Sequence, residues 1–372
     1  MTPAATVPAL LRPTWAEINL DAVRANLRQL RSGLPSGTQL LFVVKANAYG
    51  HGAVPLSLLA QQERLCDRLG VSCIEEGIEL RKAGVTLPIL VLGSIYPFSG
   101  FDAALEHGLA VTIASAEAAR SLSEAAARTG KPAACHVKVD TGMGRIGMRR
   151  PSASATVQII RGLVGITLEG IYTHLSSAES DAAYTRLQLR HFSDTLQACG
   201  LSDAHGVLRH AAASYAAVSY PDSVFDMIRP GLACYGLMDG FAPAMTLKSR
   251  IVFLKDVRSG ASIGYGRTFR APRQLKLATL PIGYADGYAR RFSNTAEVLV
   301  RGRRCRVAGA VSMDMIVVDV SSVPGAQVGD EAVLIGAQGE DRITAQDLAQ
   351  WAGTISYEVA TAISARVPRM WL

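Results

Sequence analysis

Short apolar segments alternate with helical patterns over the first 240 residues of this 372-residue chain, and this alternation constrains the fold more than any other feature. Eight apolar segments predict strands, at residues 40–46, 69–74, 88–94, 109–115, 134–140, 167–174, 206–212 and 227–235. Stretches with helical periodicity lie before and between them, at 21–31, 51–64, 75–83, 99–107, 116–129, 152–162 and 181–199. Eight strands separated by such helices predict a (β/α)₈ barrel. An open doubly wound sheet is the alternative, because spacing alone does not establish closure.

The pattern changes near residue 240, where prolines, glycines and short Val/Ile runs replace the alternation. These runs predict strands of a smaller domain, at 251–257, 296–300, 315–320 and 331–335. Only two stretches have helical character there, at 344–352 and about 356–365. The expected organisation is a barrel domain of residues 1–240 followed by a mainly β domain of residues 241–372.

The formal net charge of +7 raises the question of a nucleic-acid partner. The densest basic cluster is RGRRCR at 301–306, in which arginines alternate with small or apolar residues. That alternation is typical of the solvent-facing side of a strand. Aromatic residues that could stack on bases are not interleaved with it. An excess of arginine also suits anionic small molecules such as phosphates and carboxylates, and we prefer this interpretation.

Cysteine usage and hydropathy indicate the compartment. Six scattered cysteines form no C-x-x-C pair, which argues against a disulfide scaffold and against a zinc site, so no metal is expected. No apolar run approaches the ~20 residues that span a bilayer. The first fifteen residues, MTPAATVPALLRPTW, lack the basic region and long apolar stretch of a secretory signal. The default location is the cytoplasm.

The stretch VVKANAYGHG, residues 43–52, places a lysine where a buried strand ends. Desolvation at such a position disfavours the charged form of Lys45. A neutral amine is a nucleophile that can form a Schiff base with a carbonyl. The alternative is a lysine that ends a strand and directs its ammonium into water.

Other polar side chains follow the later predicted strands. In a (β/α)₈ barrel the carboxyl ends of the strands form one face, where catalytic groups cluster. Five side chains are expected to meet there: Lys138, Arg145 in a glycine-rich loop, His174, Ser214 and Arg229. The backbone amides of Gly231 and Leu232 follow Arg229 in the segment MIRPGLACYG. Each residue alone could be an ordinary rim or ion-pair residue, but five side chains from four neighbouring strands favour a site.

Several long motifs, in order, resemble those of the alanine racemase family. They are VVKANAYGHG, DTGMGRIGM, EGIYTHLSSAE, IRPGLACYG, IGYGRTF, PIGYADGYARR, VSMDM and ISYEVATAISARVPR. The resemblance spans nearly the whole chain. It implies an enzyme that uses pyridoxal 5'-phosphate (PLP) to interconvert L- and D-alanine, with a barrel and a C-terminal β domain. The implied role is supply of D-alanine for cell-wall peptidoglycan.

The resemblance implies two catalytic bases, because racemisation needs proton transfer on both faces of the substrate Cα. Lys45 would bind the cofactor covalently and serve one face. Tyr265 would serve the other face from the partner subunit of a homodimer with shared active sites. His174 and Arg229 would polarise the Tyr265 phenol.

The resemblance also assigns the cofactor and substrate contacts. The phosphate would be held by hydroxyls and backbone amides of Tyr49, Ser214, Gly231, Leu232 and Tyr357. Arg229 would face the pyridine nitrogen, and because arginine only donates hydrogen bonds, that nitrogen would stay unprotonated. The substrate carboxylate would bind Arg145 and the Met313 amide, with Tyr284 and Asp314 at the entrance. Lys138 matches a lysine that the family often carbamylates.

Two positions depart from the commonest family pattern: Ser312 replaces a cysteine, and Ala213 replaces an asparagine. Neither carries chemistry in the implied mechanism, but both bear on pocket shape and substrate breadth. Three other functions stay open at this point: a non-enzymatic PLP carrier, a decarboxylase of basic amino acids, and a racemase of serine or basic amino acids. The carrier lacks a second domain, and the decarboxylase normally has a carboxylate where this chain has Arg229.

Overall fold

Two units organise the polypeptide in the computed structural model, which describes residues 11–203 and 205–372. The barrel unit contains Arg24–Ala48 and Ala53–Cys234. The C-terminal unit contains Tyr235–Leu372 together with Tyr49–Gly52 and residues 11–23. The short segment Tyr49–Gly52 therefore packs with the C-terminal unit, although Lys45 just before it belongs to the barrel unit.

Numbered along the chain, the strands of the described residues are β1 (Thr14–Ile18), β2 (Gln39–Val43), β3 (Arg68–Val71), β4 (Ile89–Val91), β5 (Leu109–Ile113), β6 (Ala133–Lys138), β7 (Ile166–Tyr172), β8 (Leu208–His210), β9 (Met227–Ile228), β10 (Met245–Arg250), β11 (Phe253–Val257), β12 (Ser262–Ile263), β13 (Phe269–Arg270), β14 (Leu275–Leu280), β15 (Glu297–Val300), β16 (Arg303–Arg306), β17 (Ile316–Asp319), β18 (Glu331–Gln338), β19 (Asp341–Ile343) and β20 (Arg369–Trp371). The right-handed α-helices are Leu20–Ser32, Ala53–Gln62, Ile74–Lys82, Gly100–Glu106, Ala116–Thr129, Arg150–Gly162, Ala182–Ala198, Ser214–Ser219, Ala345–Ala352 and Ser356–Ala362.

The barrel is formed by β2 to β9, of which β2 to β8 are parallel neighbours in chain order. The last strand, β9, also pairs with the first, β2, so the sheet returns on itself. Between β8 and β9 the Asp226 amide donates to the Arg209 carbonyl at 3.0 Å, and the Arg229 amide donates to the Ala212 carbonyl at 2.9 Å. These contacts confirm the predicted (β/α)₈ barrel and exclude the open doubly wound sheet.

The predicted strand at 227–235 is wrong over most of its length. Strand β9 ends at Ile228, and a 3₁₀ turn follows at Leu232–Tyr235. Pro230 has no amide proton and cannot continue a sheet ladder, and Gly231 favours a turn. The early end of β9 frees the segment after Arg229 to form a loop at the barrel mouth, defined here as the carboxyl ends of β2 to β9.

Helix boundaries in the barrel agree with the sequence patterns to within a few residues. The helix Ala116–Thr129 has the predicted bounds. The Ser115 hydroxyl accepts from the Ala118 amide at 3.0 Å, and Gly130 ends the helix at a φ of 64°. A serine N-cap and a left-handed glycine are strong local signals, which is why this helix is predicted so well.

The C-terminal unit is built on a sheet in the order β16-β15-β18-β10-β1-β20, with β19 added to β18. Strand β1 pairs antiparallel with β10 and parallel with β20. The sequence patterns predict a mainly β unit correctly but miss β1, β10 and β20. Strand β1 is buried on both sides, so it has no alternation to detect.

The basic cluster at 301–306 folds as predicted, with β16 at the edge of this sheet. Cys305 is buried, while Arg303, Arg304 and Arg306 are exposed. Arg304 forms ion pairs with Glu297 at 3.1 Å and with Asp341 at 2.8 Å. Part of the cluster is therefore neutralised within the chain, which supports the preference against nucleic acid.

The remaining sequence-based expectations concern compartment and anchoring. Among the described residues no helix is long and apolar enough to cross a bilayer. All six cysteines are free thiols, five of them buried and Cys73 exposed. The prediction about the first fifteen residues falls mainly on residues 1–10, which lie outside the described residues.

Candidate active site

Lys45 lies at the barrel mouth, two residues after β2 ends, and a left-handed turn follows it. Ala46, Asn47, Ala48 and Tyr49 all have φ of 52–53°. This region is costly for residues that carry a Cβ, of order 1 kcal/mol each. The Ala46 amide donates to Glu76 Oε1 at 2.7 Å, and Asn47 Oδ1 accepts from the Ala53 amide at 2.8 Å. These contacts hold a backbone that sequence patterns did not predict.

The Lys45 amine is half-buried. Burial lowers its pKa below the ordinary value, and the positive charge of Arg145 lowers it further, while Glu76 acts in the opposite direction. A lowered pKa increases the fraction of neutral, nucleophilic amine at neutral pH. The predicted effect of desolvation on Lys45 is therefore found, and its role as a nucleophile stays a prediction.

Lys138 and Arg145 lie close enough for the charge of Arg145 to act on the Lys138 amine, because the loop between them folds back on itself. Asp140 Oδ1 accepts from the amides of Gly142 and Gly144, each at 3.0 Å. The Met148 amide donates to the Lys138 carbonyl at 2.9 Å. Burial, followed by the charges of Arg229 and Arg145, lowers the pKa of the Lys138 amine to about 8. Lys138 is buried and Arg145 is exposed.

Arg229 is buried beneath the mouth and held by three hydrogen bonds. Its Nη1 donates to Nδ1 of His210 at 2.8 Å, and its Nη2 donates to the carbonyls of Thr173 at 2.7 Å and Ala211 at 3.0 Å. Its guanidinium lies 5.0 Å from the centre of the Tyr172 ring. Burial lowers its pKa to about 10, so it stays charged at neutral pH. Its hydrogen bonds within residues 11–203 and 205–372 do not use Nε, which remains a donor for a ligand.

His174 follows β7 and is uncharged at neutral pH. Burial, followed by the nearby charges of Arg229 and Lys138, lowers the pKa of its imidazole to about 3. The barrel mouth thus collects Lys45, Lys138, Arg145 and Arg229 around a neutral imidazole. Such a cluster of positive groups favours an anionic ligand.

Two loops at the mouth form a polar nest around one hydroxyl. Ser214 Oγ accepts from the Gly231 amide at 3.0 Å and from the Ala233 amide at 3.2 Å. The loop after β8 and the loop after β9 are therefore joined directly. Sequence reasoning selected Ser214, Gly231 and Leu232 but missed Ala233, whose amide carries no side-chain signal.

Tyr49 and Tyr357 come together in the C-terminal unit. The Tyr49 ring lies 5.1 Å from Tyr235 and 6.2 Å from Tyr357, measured between ring centres. Gly50 permits the approach of this segment to the helix Ser356–Ala362, because a Cβ on it would lie 2.3 Å from the Ala360 carbonyl oxygen. Tyr235 was not selected from the sequence.

Tyr265 stands at the tip of the β12–β13 hairpin and is 73% exposed. Gly264 and Gly266 flank it with φ of 70° and 69°, a conformation that favours glycine. The hairpin is anchored below, where Ile263 joins an apolar cluster with Leu275 and Leu277. The exposed phenol is thus carried on a fixed support.

Tyr284, Met313 and Asp314 lie on two adjacent loops of the C-terminal unit. The Tyr284 amide donates to the Ser312 carbonyl at 3.0 Å. The Ser312 hydroxyl donates to the Met315 carbonyl at 2.6 Å, so it fixes the turn that carries Met313. Asp314 pairs with Arg366 at 2.7 Å.

The fold and these groups define a (β/α)₈-barrel enzyme with a lysine of lowered pKa and a hydroxyl–amide nest at the barrel mouth. Residues 18–239 match the family model described as alanine racemase, N-terminal domain, and residues 244–371 match that of the C-terminal domain. The chain belongs to the alanine racemase family.

Individual relatives are similar over nearly their whole length. The alanine racemase of Symbiobacterium thermophilum is 44% identical over 97% of both chains, and that of Halothermothrix orenii is 42% identical over 97% of both. The crystal structure of alanine racemase from Bacillus anthracis, solved with bound L-Ala-P, has a TM-score of 0.91 and 34% identity, and the match covers 98% of this chain and 96% of that one. The enzyme from D-cycloserine-producing Streptomyces lavendulae has a TM-score of 0.91 and 37% identity over 98% of both chains.

Proposed function

We propose that this protein is a PLP-dependent alanine racemase that interconverts L- and D-alanine. The observation that carries the proposal is the amine of Lys45, whose pKa is lowered by burial and by Arg145 at the barrel mouth. A charged lysine could neither attach an aldehyde cofactor nor accept a proton. Membership of the family supports alanine as the substrate. The proposed role is supply of D-alanine for the cell wall.

The residues present fit PLP. An anionic phosphate suits the polar nest of Ser214 and the amides of Gly231 and Leu232, and we assign the Tyr49 and Tyr357 hydroxyls to the same group. Arg229 Nε is the donor that we assign to the pyridine nitrogen. When bound, the cofactor supplies an electron sink that makes the substrate Cα–H acidic.

The chain's own groups then handle the proton. The neutral Lys45 amine accepts a proton from one face of the substrate Cα or returns it there. Tyr265 performs the same task on the opposite face, supplied by the partner subunit. His174, uncharged at neutral pH, and Arg229 polarise that phenol. Two bases on opposite faces give inversion in either direction.

Arg145 and the Met313 amide are assigned to the substrate carboxylate, with Tyr284 and Asp314 at the entrance. We also propose that Lys138 is carbamylated. Its amine attacks CO₂, a C–N bond forms and one proton is released, leaving an anion that orients Arg145. The lowered pKa of Lys138, about 8, supports this because only the neutral amine reacts. Bicarbonate added to the purified protein should produce a ¹³C carbamate signal that a Lys138→Ala variant lacks.

A homodimer with shared active sites completes the proposal. Tyr265, Tyr284 and Met313 are 73%, 43% and 52% exposed, although each is assigned to the site. A second copy of the chain that covers these residues explains their exposure. We assign cofactor binding to residues 1–240 and the second base to residues 241–372, a division that the family models at 18–239 and 244–371 support. Free, mostly buried thiols are consistent with action in the cytoplasm.

The test is conversion of L-alanine to D-alanine by the purified protein with PLP, followed by chiral chromatography. The same assay with L-serine, L-lysine and L-arginine measures substrate breadth, and CO₂ release measures decarboxylation. Racemisation fastest for alanine supports the proposal. Decarboxylation without racemisation, or a preference for a basic amino acid, would contradict it.

A further inference from the structure

A chain of hydrogen bonds crosses the interior of the barrel from Arg229 to Glu169. Arg229 Nη1 lies 2.8 Å from Nδ1 of His210, and Nε2 of His210 lies 2.9 Å from Nδ1 of His136. Nε2 of His136 lies 3.2 Å from Oε2 of Glu169. The two imidazoles are fully buried. Of these four residues, only Arg229 has a role in the proposed function.

The chemistry of the end groups fixes the direction of every bond in this chain. Arginine has no acceptor, so Nδ1 of His210 accepts and its Nε2 carries the proton. That proton is donated to Nδ1 of His136, whose Nε2 in turn carries a proton and donates to Glu169. All three bonds therefore point from Arg229 toward the carboxylate, and both imidazoles are neutral with the proton on Nε2.

The electrostatics agree with this direction. Burial lowers the pKa of both His136 and His210, which keeps the rings uncharged. The hydrogen bond from His136, together with Arg68, lowers the pKa of Glu169 to about 2. Glu169 is therefore ionised and is an acceptor only. Arg68 holds the other carboxylate oxygen at 2.9 Å and contacts Gln39 at 2.9 Å, at the end of the barrel opposite the mouth.

Two features of the backbone make room for this chain. Cys135 pairs with Leu168, but the next residue, His136, pairs with Gly170, so Glu169 is an extra residue in β7. Such a β-bulge re-aims a side chain. A Cβ on Gly170 would lie 2.3 Å from Nδ1 of His136, so glycine is needed where the ring passes.

We infer that Glu169 is a positioning residue that acts on Arg229 through His136 and His210. The ionised carboxylate sets the tautomer of His136, which sets that of His210, which presents an acceptor to Arg229. Reversal of either tautomer would place an N–H against the guanidinium and displace it. The last step rests on the proposed function, in which Arg229 faces the cofactor ring nitrogen.

The test uses full-length protein labelled with ¹⁵N-histidine. In the wild type, NMR should show that His136 and His210 are protonated on Nε2 and unprotonated on Nδ1. Glu169→Gln removes the charge and lets an amide N–H face His136, so Nδ1 protonation should increase in both rings. In the PLP-loaded enzyme kcat should fall by about tenfold, the scale of one charge-assisted hydrogen bond, with little change in KM. Glu169→Asp keeps the charge and should retain the wild-type tautomers.

Asp226→Asn is the matched control. The substitution changes a carboxylate to an amide at the same end of the barrel. Asp226 forms an ion pair with Arg209 at 2.7 Å, and its side chain contacts neither imidazole. It should leave the His136 and His210 signals and kcat unchanged. An equal loss of kcat in Asp226→Asn and Glu169→Gln, or unchanged imidazole signals in Glu169→Gln, overturns the inference.

If Glu169→Gln does not fold, His136→Leu interrupts the chain while keeping the Glu169–Arg68 pair. The His210 ring should then gain Nδ1 protonation, and an unchanged His210 signal together with unchanged kcat overturns the inference. The imidazole signals are measured without cofactor. If both rings have the expected tautomers but the protein does not racemise alanine, only the proposed function is contradicted. If the enzyme is active but Glu169→Gln leaves both tautomers unchanged, only this inference is contradicted.

Discussion

The hydroxyl of Ser214 accepts a hydrogen bond from the Gly231 amide at 3.0 Å, across seventeen residues of sequence. In the proposed phosphate site, this contact places the Ser214 hydroxyl and the Gly231 amide side by side. The loop after β9 is therefore organised by a side chain from the neighbouring loop. An anion bound there would meet groups that are already aligned, which would lower the entropic cost of binding.

Ser214→Ala removes that hydroxyl and should weaken cofactor binding. The lost hydrogen bond to a charged group corresponds to about a tenfold increase in the Kd for PLP. Equilibrium dialysis or fluorescence titration measures it. Ser219→Ala, at the end of the same short helix, is the control and should bind PLP as the wild type does. An unchanged Kd in Ser214→Ala would remove this hydroxyl from the phosphate site.

Lys45→Ala should abolish racemisation rather than merely weaken binding, because it removes both the covalent anchor and one proton acceptor. Borohydride reduction of the wild-type holoenzyme should bleach its visible absorption band and attach the cofactor to the peptide that contains Lys45. Mass spectrometry of the digested protein locates the label. Lys255→Ala, on the exposed side of β11, should retain activity. Label on a different lysine means that the site has been misassigned.

Local sequence signals were sufficient to predict the barrel, whereas strands that depend on pairing with distant residues were missed. Helix Ala116–Thr129 carries its own cap and stop, so its bounds were predictable. Strand β1 becomes a strand only because β10 and β20, more than 200 residues away, pair with it. Candidate site residues such as Lys45 were selected from strand ends and motifs.

The contacts that hold the candidate site residues in place could not be predicted in the same way. Glu169 and Gly170 lie in the motif EGIYTHLSSAE, but nothing local shows that a bulge directs the carboxylate toward His136. The left-handed turn after Lys45 is likewise built from alanines and an asparagine, and alanine does not favour that conformation. Contacts from Glu76 and Ala53 stabilise it, and these depend on the completed fold.

Arg229→Glu should slow racemisation and open side reactions. A carboxylate facing the pyridine nitrogen favours a protonated ring, which is a stronger electron sink and prolongs the life of the carbanion. We expect new long-wavelength absorbance during turnover with D-alanine and some transamination to pyruvate, both measured directly. Arg229→Lys keeps the positive charge and should show neither. A turnover spectrum identical to that of the wild type argues against this role for Arg229.

Protein stability should fall in acid because His174 folds as a neutral imidazole. Its pKa is about 3 in the folded protein, against an ordinary value of 6.5, mainly because of burial. Between these values the unfolded chain binds more protons, so the free energy of unfolding rises with pH over this window and falls as pH decreases. His174→Gln should reduce that slope by up to about one proton, whereas His205→Gln, at an exposed position, should not. Urea unfolding at pH 7.5 and 5.5 tests this, and equal slopes in the wild type and His174→Gln would contradict it.

Two inactive variants, Lys45→Ala and Tyr265→Ala, should restore activity when their subunits are exchanged. In a two-fold dimer with shared sites, a hybrid contains one site with both substitutions and one with neither. Random exchange of equal amounts makes half of the dimers hybrids, so activity should reach about a quarter of the wild-type value. Chiral assay after mild denaturation and refolding of the mixture measures it. Mixing Lys45→Ala with the double variant that carries both substitutions is the control and should stay inactive, because no site regains both bases. If hybrids form, as native mass spectrometry can establish, and still do not racemise alanine, then Tyr265 acts within its own chain or is not the second base.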